Sequence, residues 1–419
     1  MYLYPVQFYE KSMNINITSE TDRLHGVIVH TPGREVSLVN PEHKDELLFD
    51  DIIFEEVARQ EHLNMLEVFK AAMPDRKGVF EILDLARECF ESEDVRGEFV
   101  EWMEEELPFE NLHTIRKELI DMDARSLVTF VSEGTVDGKF TLHPAPNLLF
   151  TRDLATVAGN HIILSRAAKK ARAREFLLMR TIVKHHPLFS EVKENVISIG
   201  RDQSLEGGDV LIPAPGIVLI GMSERTSFSG LMSVAGQLLE TGTEHILAVD
   251  IPKKRASMHL DTIFTFADEN ECMVYPPAII EKSDNVVHLT RSGDGRVASR
   301  QMPDLKTALE ELTGKEFNFM KCGGEQRINQ HREQWTDGAN LFALAPGVVL
   351  AYDRNIETFR TLADNGYRHM TQFEFIDEYA EKAFDPATGE KIAISFEGHE
   401  LCRGRGGGRC MTLPVSRKP

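Results

Sequence analysis

The chain has 419 residues, of which 42% are hydrophobic, so it is long enough to bury a large core, alone or with an inserted domain. Its 47 basic and 67 acidic residues give a formal charge of -20, which argues against a general binder of nucleic acid or of anionic membranes. A small cationic ligand suits this charge better.

Two further features bear on the compartment. No uninterrupted apolar run reaches membrane-spanning length, and the opening MYLYPVQFYEKSMNI lacks the layout of a secretory signal. The cysteines are odd in number and scattered, without the spacing of a zinc site or the density of a disulfide scaffold. They are Cys89, Cys272, Cys322, Cys402 and Cys410. We therefore expect free thiols and a cytoplasmic location.

In chain order, the first predicted element is a strand in GVIVHTPG, and a helical block follows it. Between residues 41 and 125 glycine is rare, and apolar residues recur at helical spacing. The segments on both sides are strand-rich and punctuated by Gly and Pro. We predict that residues 41–125 form an inserted helical domain, whereas residues 14–40 and 126–419 form the catalytic α/β domain. The alternative is that these helices cover the sheet.

Outside this block the chain carries a repeated unit. EGGDVLIPAPGIVLIG, from Glu206, aligns with TDGANLFALAPGVVLAY, from Thr336, and each predicts a hairpin with a Pro-Gly turn. Looser copies open at Asp153 and Asp261. Such repeats indicate a closed, pseudo-symmetric arrangement in which equivalent positions meet near one axis. The polar residues that open the hairpins would converge there: Asp153, Asp209, Asp261 and Asn340.

The segment GRGGGRCMTLP places Cys410 behind glycines and arginines. Arg403, Arg405 and Arg409 would favour the thiolate, which is the nucleophilic form. The alternative is a small buried apolar side chain. An RNA-binding RGG tag is disfavoured because one copy stands in a very acidic chain. Arg409 also occupies the place where a dinucleotide-binding fingerprint needs its last glycine.

A nucleophilic cysteine needs a base, and ASMHLDTIFTF offers His259 beside Asp261. In a strand the two side chains would point to one face and share a pocket, although His259 could also be a core histidine. EGGD adds Glu206 and Asp209 on a glycine turn that lets the backbone approach a ligand. NLLFTRD adds Asn147, Phe150, Arg152 and Asp153, or else an edge strand with an ion pair.

The carboxylates need a cation, and metal-binding patterns are missing from the sequence. There is no HExxH or CxxC motif, and His185 and His186 lack partners at ligand spacing. A guanidinium group is planar, permanently charged and able to form two-pronged hydrogen bonds with a carboxylate. Each charge-assisted bond contributes about 1.5–3 kcal/mol net. We therefore expect a guanidinium ligand, with no metal and no cofactor.

Six sequence motifs resemble those of the arginine deiminase family, within the guanidine-modifying pentein superfamily. They are NLLFTRD, EGGD, SERTS, MHLDT, REQWTDGAN with APGVVLAYDRN, and GRGGGRCM. They follow the family's order over nearly the whole chain, and the helical block resembles the family's insertion. The resemblance implies a five-bladed, pseudo-symmetric α/β propeller of ββαβ units with an inserted helical domain.

The resemblance also implies an activity: hydrolysis of free L-arginine to L-citrulline and ammonia through a covalent Cys thiouronium intermediate. The implied catalytic residues are Cys410 as nucleophile, His259 as general acid and base, Glu206 as its assistant, and Asp153 and Asp261 as clamps on the guanidinium. The implied substrate-binding residues are Asn147, Phe150, Arg172, Arg225 and Arg405.

Other functions stay open on the sequence alone. Agmatine or peptidyl-arginine deimination and amidino transfer use related chemistry, and a catalytically silent arginine-binding protein would keep the same pocket. We expect L-arginine as a small-molecule partner, neither nucleic acid nor membrane, and a homo-oligomer, either a dimer or a tetramer.

Overall fold

The computed structural model describes residues 13–108, 110–136 and 138–418. Most of the opening segment that we interpreted as unlike a secretory signal, residues 1–12, lies outside the described residues. Within the described ranges, no helix combines the length and the apolar character needed to cross a membrane.

The described residues form a mixed α/β fold. In chain order the strands are β1 (Arg23–Val29), β2 (Val79–Glu81), β3 (Thr135–Val136), β4 (Lys139–Phe140), β5 (Ala155–Ala158), β6 (His161–Leu164), β7 (Val196–Ile197), β8 (Val210–Ala214), β9 (Ile217–Met222), β10 (His245–Asp250), β11 (Phe264–Asp268), β12 (Glu271–Val274), β13 (Val286–Arg291), β14 (Val297–Met302), β15 (Asn318–Lys321), β16 (Phe342–Ala345), β17 (Val348–Tyr352), β18 (Arg368–Thr371), β19 (Ile392–Phe396) and β20 (Leu413–Lys418).

The α-helices connect and cover these strands. They are α1 (Arg34–Ser37), α2 (Glu55–Ala72), α3 (Ile82–Phe90), α4 (Glu93–Glu106), α5 (Arg116–Asp121), α6 (Ala124–Glu133), α7 (Ala173–His185), α8 (Phe228–Glu240), α9 (Pro276–Ile279), α10 (Leu305–Thr313), α11 (Arg327–Trp335), α12 (Ile356–Asp364) and α13 (Gln372–Glu378).

The four predicted hairpins are confirmed, and each gains a parallel third strand. The resulting units are β5-β6-β7, β8-β9-β10, β11-β12-β15 and β16-β17-β19. A related unit joins the chain ends, because β1 pairs antiparallel with β20 and parallel with β2. The Pro-Gly turns place Gly216 and Gly347 at φ 75° and 69°, the left-handed region that glycine tolerates best.

The predicted helical range 41–125 contributes to two cores. Side chains of α2 pack with the β16–β17 hairpin, where the rings of Phe69 and Phe342 lie 5.4 Å apart. Helices α3, α4 and α6 instead share a core with α7. The same range supplies β2, which pairs with β1. The division into an inserted domain and a main domain stays a prediction.

Short 3-10 turns precede three of the hairpins and set the direction of their opening residues. They span Thr151–Leu154, Gly207–Asp209 and Leu260–Thr262. A fourth 3-10 turn, Leu401–Gly404, begins the glycine segment that leads to Cys410, shortly before β20. Because β20 pairs with β1, this last segment is held against the body of the fold.

Candidate active site

One cavity collects most of the residues that the sequence singled out. Its wall includes Asn147, Phe150, Asp153, Arg172, Arg225, His259, Arg405 and Cys410. The two remaining predicted residues lie directly behind this wall. Glu206 contacts His259, and Asp261 contacts the sulfur of Cys410. The tertiary fold therefore brings together residues that span more than half of the chain.

His259 lies between two carboxylates. Its Nε2 is 2.8 Å from Glu206 Oε2, and its Nδ1 is 3.6 Å from Asp153 Oδ1. Burial disfavours the charged imidazole, but Asp153 and the hydrogen bond to Glu206 outweigh burial and raise the pKa of His259. Burial likewise opposes the Glu206 carboxylate, yet His259 lowers the pKa of Glu206 overall. The pair is thus an imidazolium and a carboxylate.

The shared pocket of His259 and Asp261 was predicted for the wrong local reason. The two residues do not alternate along a strand, because Leu260–Thr262 forms a 3-10 turn and β11 begins only at Phe264. The turn, which is held by Thr262 Oγ1 donating to His259 O, brings Asp261 beside Cys410. Sequence periodicity cannot distinguish such a single turn from the start of a strand.

The four polar residues that open the hairpins divide into two kinds. Asp153 lines the cavity and Asp261 approaches the Cys410 sulfur at 3.9 Å, as expected. Asp209 instead accepts hydrogen bonds from Ser223, Thr226 and the Leu260 backbone. Its role is to fasten the Leu260 turn, so not all four side chains meet in the pocket as we expected.

Asn340 is the second positioning residue among these four. Its Oδ1 accepts from the backbone N–H groups of Arg409 and Cys410 at 3.0 and 3.1 Å, and its Nδ2 donates to Asp261 O at 2.9 Å. One amide side chain therefore fixes the nucleophile candidate relative to the Asp261 turn. The repeat signalled Asn340 as a structurally equivalent position, but nothing in the sequence signalled this role.

The expected activation of Cys410 by its flanking arginines is wrong. Arg403 pairs with Asp51 at 2.9 Å, and Arg409 pairs with Glu20 and Asp261 at 3.0 and 2.8 Å. Their charges are thus taken up by carboxylates. Burial, followed by the negative charges of Asp261 and Asp153, raises the pKa of Cys410 well above its ordinary value. The buried sulfur is a thiol.

Arg172 contacts the acidic side of the cavity. It forms an ion pair with Asp153 and donates to Glu175 at 2.7 Å. Its Nη2 donates to the backbone carbonyls of Asn147 and Phe150 at 3.0 and 3.1 Å. Because these donors are occupied, Arg172 positions Asp153 and leaves Asp153 Oδ1 buried without a hydrogen-bond partner among the described residues.

Arg225 and Arg405 form the basic side of the cavity. Arg225 Nε and the Nε and Nη1 of Arg405 are buried and lack hydrogen-bond partners within the described ranges. Arg225 Nη1 is 3.8 Å from Glu206 Oε1, and the Arg405 guanidinium lies 3.4 Å above the centroid of the Trp335 ring. Buried N–H groups of this kind cost free energy unless a ligand accepts from them.

Asn147 and Phe150 complete the predicted set. Asn147 Nδ2 donates to Leu47 O at 2.7 Å, and the Phe150 ring faces the glycine segment. A Cβ at Gly406 would lie 2.4 Å from that ring, and a Cβ at Gly208 would lie 2.7 Å from the His259 ring. These glycines are therefore required for close packing within the site.

Sequence reasoning missed several contributors. Leu48, Arg255, Met258 and Gly404 also line the cavity. Met258 and Gly404 stand inside the quoted motifs, whereas Leu48 lies in the predicted helical range and carried no signal. Arg255 donates to Asp50, and its Nη2 donates to Leu48 O at 2.6 Å.

Asp153, Glu206 and His259 lie close enough together to bind a metal ion, if only the distances are considered. The ligand atoms of Asp153, Glu206 and His259 lie within 4.8 Å of one another. Two guanidinium groups stand against the same carboxylates, with Arg172 paired to Asp153 and Arg225 3.8 Å from Glu206. A divalent ion would meet their repulsion, whereas a flat monocation can donate hydrogen bonds to the acids.

Comparisons with known proteins find related sequences over nearly the whole chain. A sequence profile described as "Arginine deiminase" matches residues 105–417. The chain is 32% identical over 429 residues to the arginine deiminase of Listeria monocytogenes serotype 4a (strain HCC23), covering 96% of this chain and 98% of that protein. The arginine deiminase of Streptococcus sanguinis (strain SK36) is 32% identical over 434 residues with the same coverage.

Solved structures support the fold class. The fold is similar to that of an amidinotransferase of Microseira wollei from a saxitoxin biosynthetic pathway, with a TM-score of 0.55, 14% identity and coverage of 97% and 98%. The fold is also similar to that of a dimethylarginine dimethylaminohydrolase in an adduct with S-methyl-L-thiocitrulline. The TM-score is 0.50, the sequence identity is 14%, and the match covers 93% of this chain and 99% of that one. The profile match and the sequence relatives show that the chain belongs to the arginine deiminase family.

Proposed function

We propose that this protein is an arginine deiminase, which hydrolyses free L-arginine to L-citrulline and ammonia. One observation carries the proposal: the cavity beside Cys410 offers a carboxylate oxygen of Asp153 and guanidinium N–H groups of Arg225 and Arg405 that have no hydrogen-bond partner within the described residues. A free amino acid with a guanidinium side chain carries the two complementary charges. Agmatine lacks the carboxylate, so it would leave the arginines unpaired.

Binding would use both ends of the cavity. Asp153 Oδ1 and Asp261 would accept hydrogen bonds from the substrate guanidinium, while Arg225 and Arg405 would donate to its carboxylate. Phe150 and Asn147 would line the aliphatic stem. We reassign Arg172 from substrate binding to positioning, because its donors already hold Asp153, Glu175 and two backbone carbonyls.

The substrate itself would activate the nucleophile. The acids that raise the pKa of Cys410 would be neutralised by the incoming guanidinium, whose positive charge favours the thiolate. The Cys410 thiol would release its proton to water, and the resulting thiolate would attack the guanidinium carbon, since binding fixes approach and orientation. His259, which Glu206 keeps protonated, would donate a proton to the departing nitrogen, and ammonia would leave.

Hydrolysis of the covalent thiouronium would complete the cycle. Neutral His259 would take a proton from water, the resulting hydroxide would add to the same carbon, and collapse would expel the Cys410 sulfur and form the citrulline carbonyl. The step restores both the thiol and the imidazolium. It requires only side chains of the described cavity, in which His259 and Cys410 share one wall.

The repeated strand units support a larger proposal about architecture. Five sheets each combine an antiparallel pair with a parallel strand, which is consistent with a five-bladed propeller closed around the cavity. We propose this closure, with residues 41–125 as an insertion. The cytoplasmic location and the dimer or tetramer remain predictions.

A citrulline assay with purified protein tests the function. We expect citrulline and ammonia in equal amounts from L-arginine, and at least about 10³-fold lower turnover for Cys410→Ser. Agmatine should be a poor substrate. Binding of arginine without ammonia release by the unmodified protein would instead support a silent arginine-binding protein, and transfer of the amidino group to an amine would support an amidinotransferase.

Cys272→Ser serves as the matched control, because Cys272 is buried in β12, away from the cavity wall. Its activity should stay close to that of the unmodified protein. Equal activity of the Cys410→Ser variant would rule out the proposed nucleophile.

A further inference from the structure

A second group of metal-ligating side chains lies at the rim of the molecule, apart from the acidic cluster. It comprises His43, Glu46 and His143, whose ligand atoms lie within 4.8 Å of one another. The rings of His43 and His143 have their centroids 5.1 Å apart. The two histidines are far apart in the sequence, so no short motif reveals the group.

We propose that His43, Glu46 and His143 bind one first-row divalent transition-metal ion, with zinc as the probe. Two imidazoles and a carboxylate are a common ligand set for zinc when a fourth position stays open for water or another donor. Neutral imidazole also suits copper, nickel and iron, so the ligand chemistry alone selects a class of ions.

The spacing of one ligand pair fits this coordination. His43 Nδ1 and Glu46 Oε2 lie 3.4 Å apart. Two ligands at about 2.0–2.1 Å from a tetrahedral ion are separated by roughly 3.3–3.4 Å. Hydrogen-bond geometry is not met between these atoms, and His43 Nδ1 is shielded from solvent without a hydrogen-bond partner among the described residues. An ion between them would satisfy that nitrogen.

Local structure holds the ligands in place. The Leu47 N–H donates to His43 O at 3.1 Å, so His43 and Glu46 lie on one face of a single helical turn. His143 precedes Pro144, and its carbonyl accepts from Arg174 Nη2 at 2.5 Å. This contact fixes the backbone of His143.

The surroundings favour a cation. Glu110 lines the same cavity as both histidines, and it also lines the neighbouring cavity together with Glu46 and Glu106. Lys170 and Arg174 line that neighbouring cavity as well, and Glu106 is paired with Arg166. The whole chain is strongly acidic, which raises the local concentration of divalent cations.

The group of His43, Glu46 and His143 lies next to segments that line the active-site cavity. Leu47 O accepts from Asn147 Nδ2 at 2.7 Å, and Leu48 lines the cavity beside Cys410. An ion bound by His43 and His143 would therefore connect the 43–48 turn to the segment that carries Asn147. The substrate carboxylate binders lie on other segments, so metal binding does not require the proposed deiminase activity.

Cobalt spectroscopy and zinc titration of the full chain test the site. We expect the unmodified protein to bind one more equivalent of zinc than the His43→Ala/His143→Ala variant, and its cobalt form to show four-coordinate absorption without a thiolate charge-transfer band. Glu46→Gln should weaken cobalt binding by more than about 10-fold. Any metal held by Asp153, Glu206 and His259 would be common to all these proteins.

His113→Ala is the matched control, since His113 is exposed on a short 3-10 turn outside the group. It should retain the full zinc stoichiometry. Equal stoichiometry and affinity in the unmodified protein and the double variant would overturn the proposal, whatever the outcome of the citrulline assay.

Discussion

Arg405 and Arg409 lie in the same glycine segment but differ in their hydrogen bonds. The comparison distinguishes a charge that stabilises the fold from one that can bind a ligand. Arg409 donates to Glu20, Asp261 and Val210 O, with distances of 2.8 to 3.2 Å. Arg405, only four residues earlier, lies over the Trp335 ring, and its Nε and Nη1 have no hydrogen-bond partner among the described residues, although Nε is 3.9 Å from Asp50 Oδ2. Both guanidinium groups are buried. A buried charge with every donor occupied holds the fold, whereas one with free donors is available to a ligand.

The backbone of the segment supports this difference. Arg405 adopts φ 66°, the left-handed region that a residue with a side chain rarely occupies. A conformation of this kind costs of order 1–3 kcal/mol and is held only when the surroundings determine it. The strain at Arg405, absent at Arg409, is consistent with a side chain that is placed for binding.

The largest expected effect is on stability. Arg409→Met would leave the buried carboxylates of Glu20 and Asp261 without their cation, so we expect the free energy of unfolding to fall by about 3–5 kcal/mol. Urea unfolding measures this change. Adding Glu20→Gln to Arg409→Met should recover part of the loss, because one unpaired charge is removed.

Arg201→Ala is the matched control for this prediction. Arg201 pairs with Glu105 at the surface, where its side chain is 71% exposed. Such pairs contribute at most about 1 kcal/mol. A loss from Arg409→Met no larger than that of the control would contradict the structural role.

Arg405→Ala tests the proposed role of Arg405 in substrate binding. Because its free N–H groups are proposed to bind the substrate carboxylate, KM for arginine should rise by roughly 10- to 100-fold, equivalent to about 1.5–3 kcal/mol. The free energy of unfolding should change less than for Arg409→Met. Steady-state citrulline kinetics give KM, and an unchanged KM would remove Arg405 from the binding set.

Asn340→Ala tests positioning by a neutral side chain. The substitution removes the acceptor of two buried N–H groups, those of Arg409 and Cys410. We expect a loss of about 1–3 kcal/mol in total, partly as a lower free energy of unfolding and partly as a higher activation free energy, which lowers kcat. KM should change little, because Asn340 is not among the residues of the cavity wall. A rise in KM with kcat preserved would indicate direct substrate contact instead.

The smallest expected effect is a shift in the pH dependence of Cys410 alkylation. Burial and neighbouring carboxylates raise its pKa, so in the absence of substrate the rate of alkylation by iodoacetamide should climb with pH and not level off until above the ordinary thiol value of 9.0. Asp261→Asn removes one of those negative charges and should shift the rise to lower pH. A shift to higher pH would show that Asp261 does not face the sulfur as a carboxylate.

Sequence reasoning anticipated the hairpins and most of the cavity. The Pro-Gly turns of β8–β9 and β16–β17 carry a local signal, because two apolar runs around such a turn have few other ways to fold. Cys410, His259 and Asp153 could be anticipated from their own sequence segments, whereas Arg172 and Arg225 were anticipated only through the family motifs. Leu48 and Arg255 were missed since they reach the cavity from segments without a motif.

The sequence by itself determined the charge, the repeated strand units and the family, because each depends on residue order or composition alone. The tertiary structure determines which charges form hydrogen bonds: Arg409 and Arg172 donate to buried carboxylates, whereas Arg405 Nε and Nη1 and Asp153 Oδ1 have no hydrogen-bond partner among the described residues. The same step made Cys410 a thiol. The pKa and the pairing of a buried group depend on its neighbours in space, and Glu20, which pairs with Arg409, is hundreds of residues away in the chain.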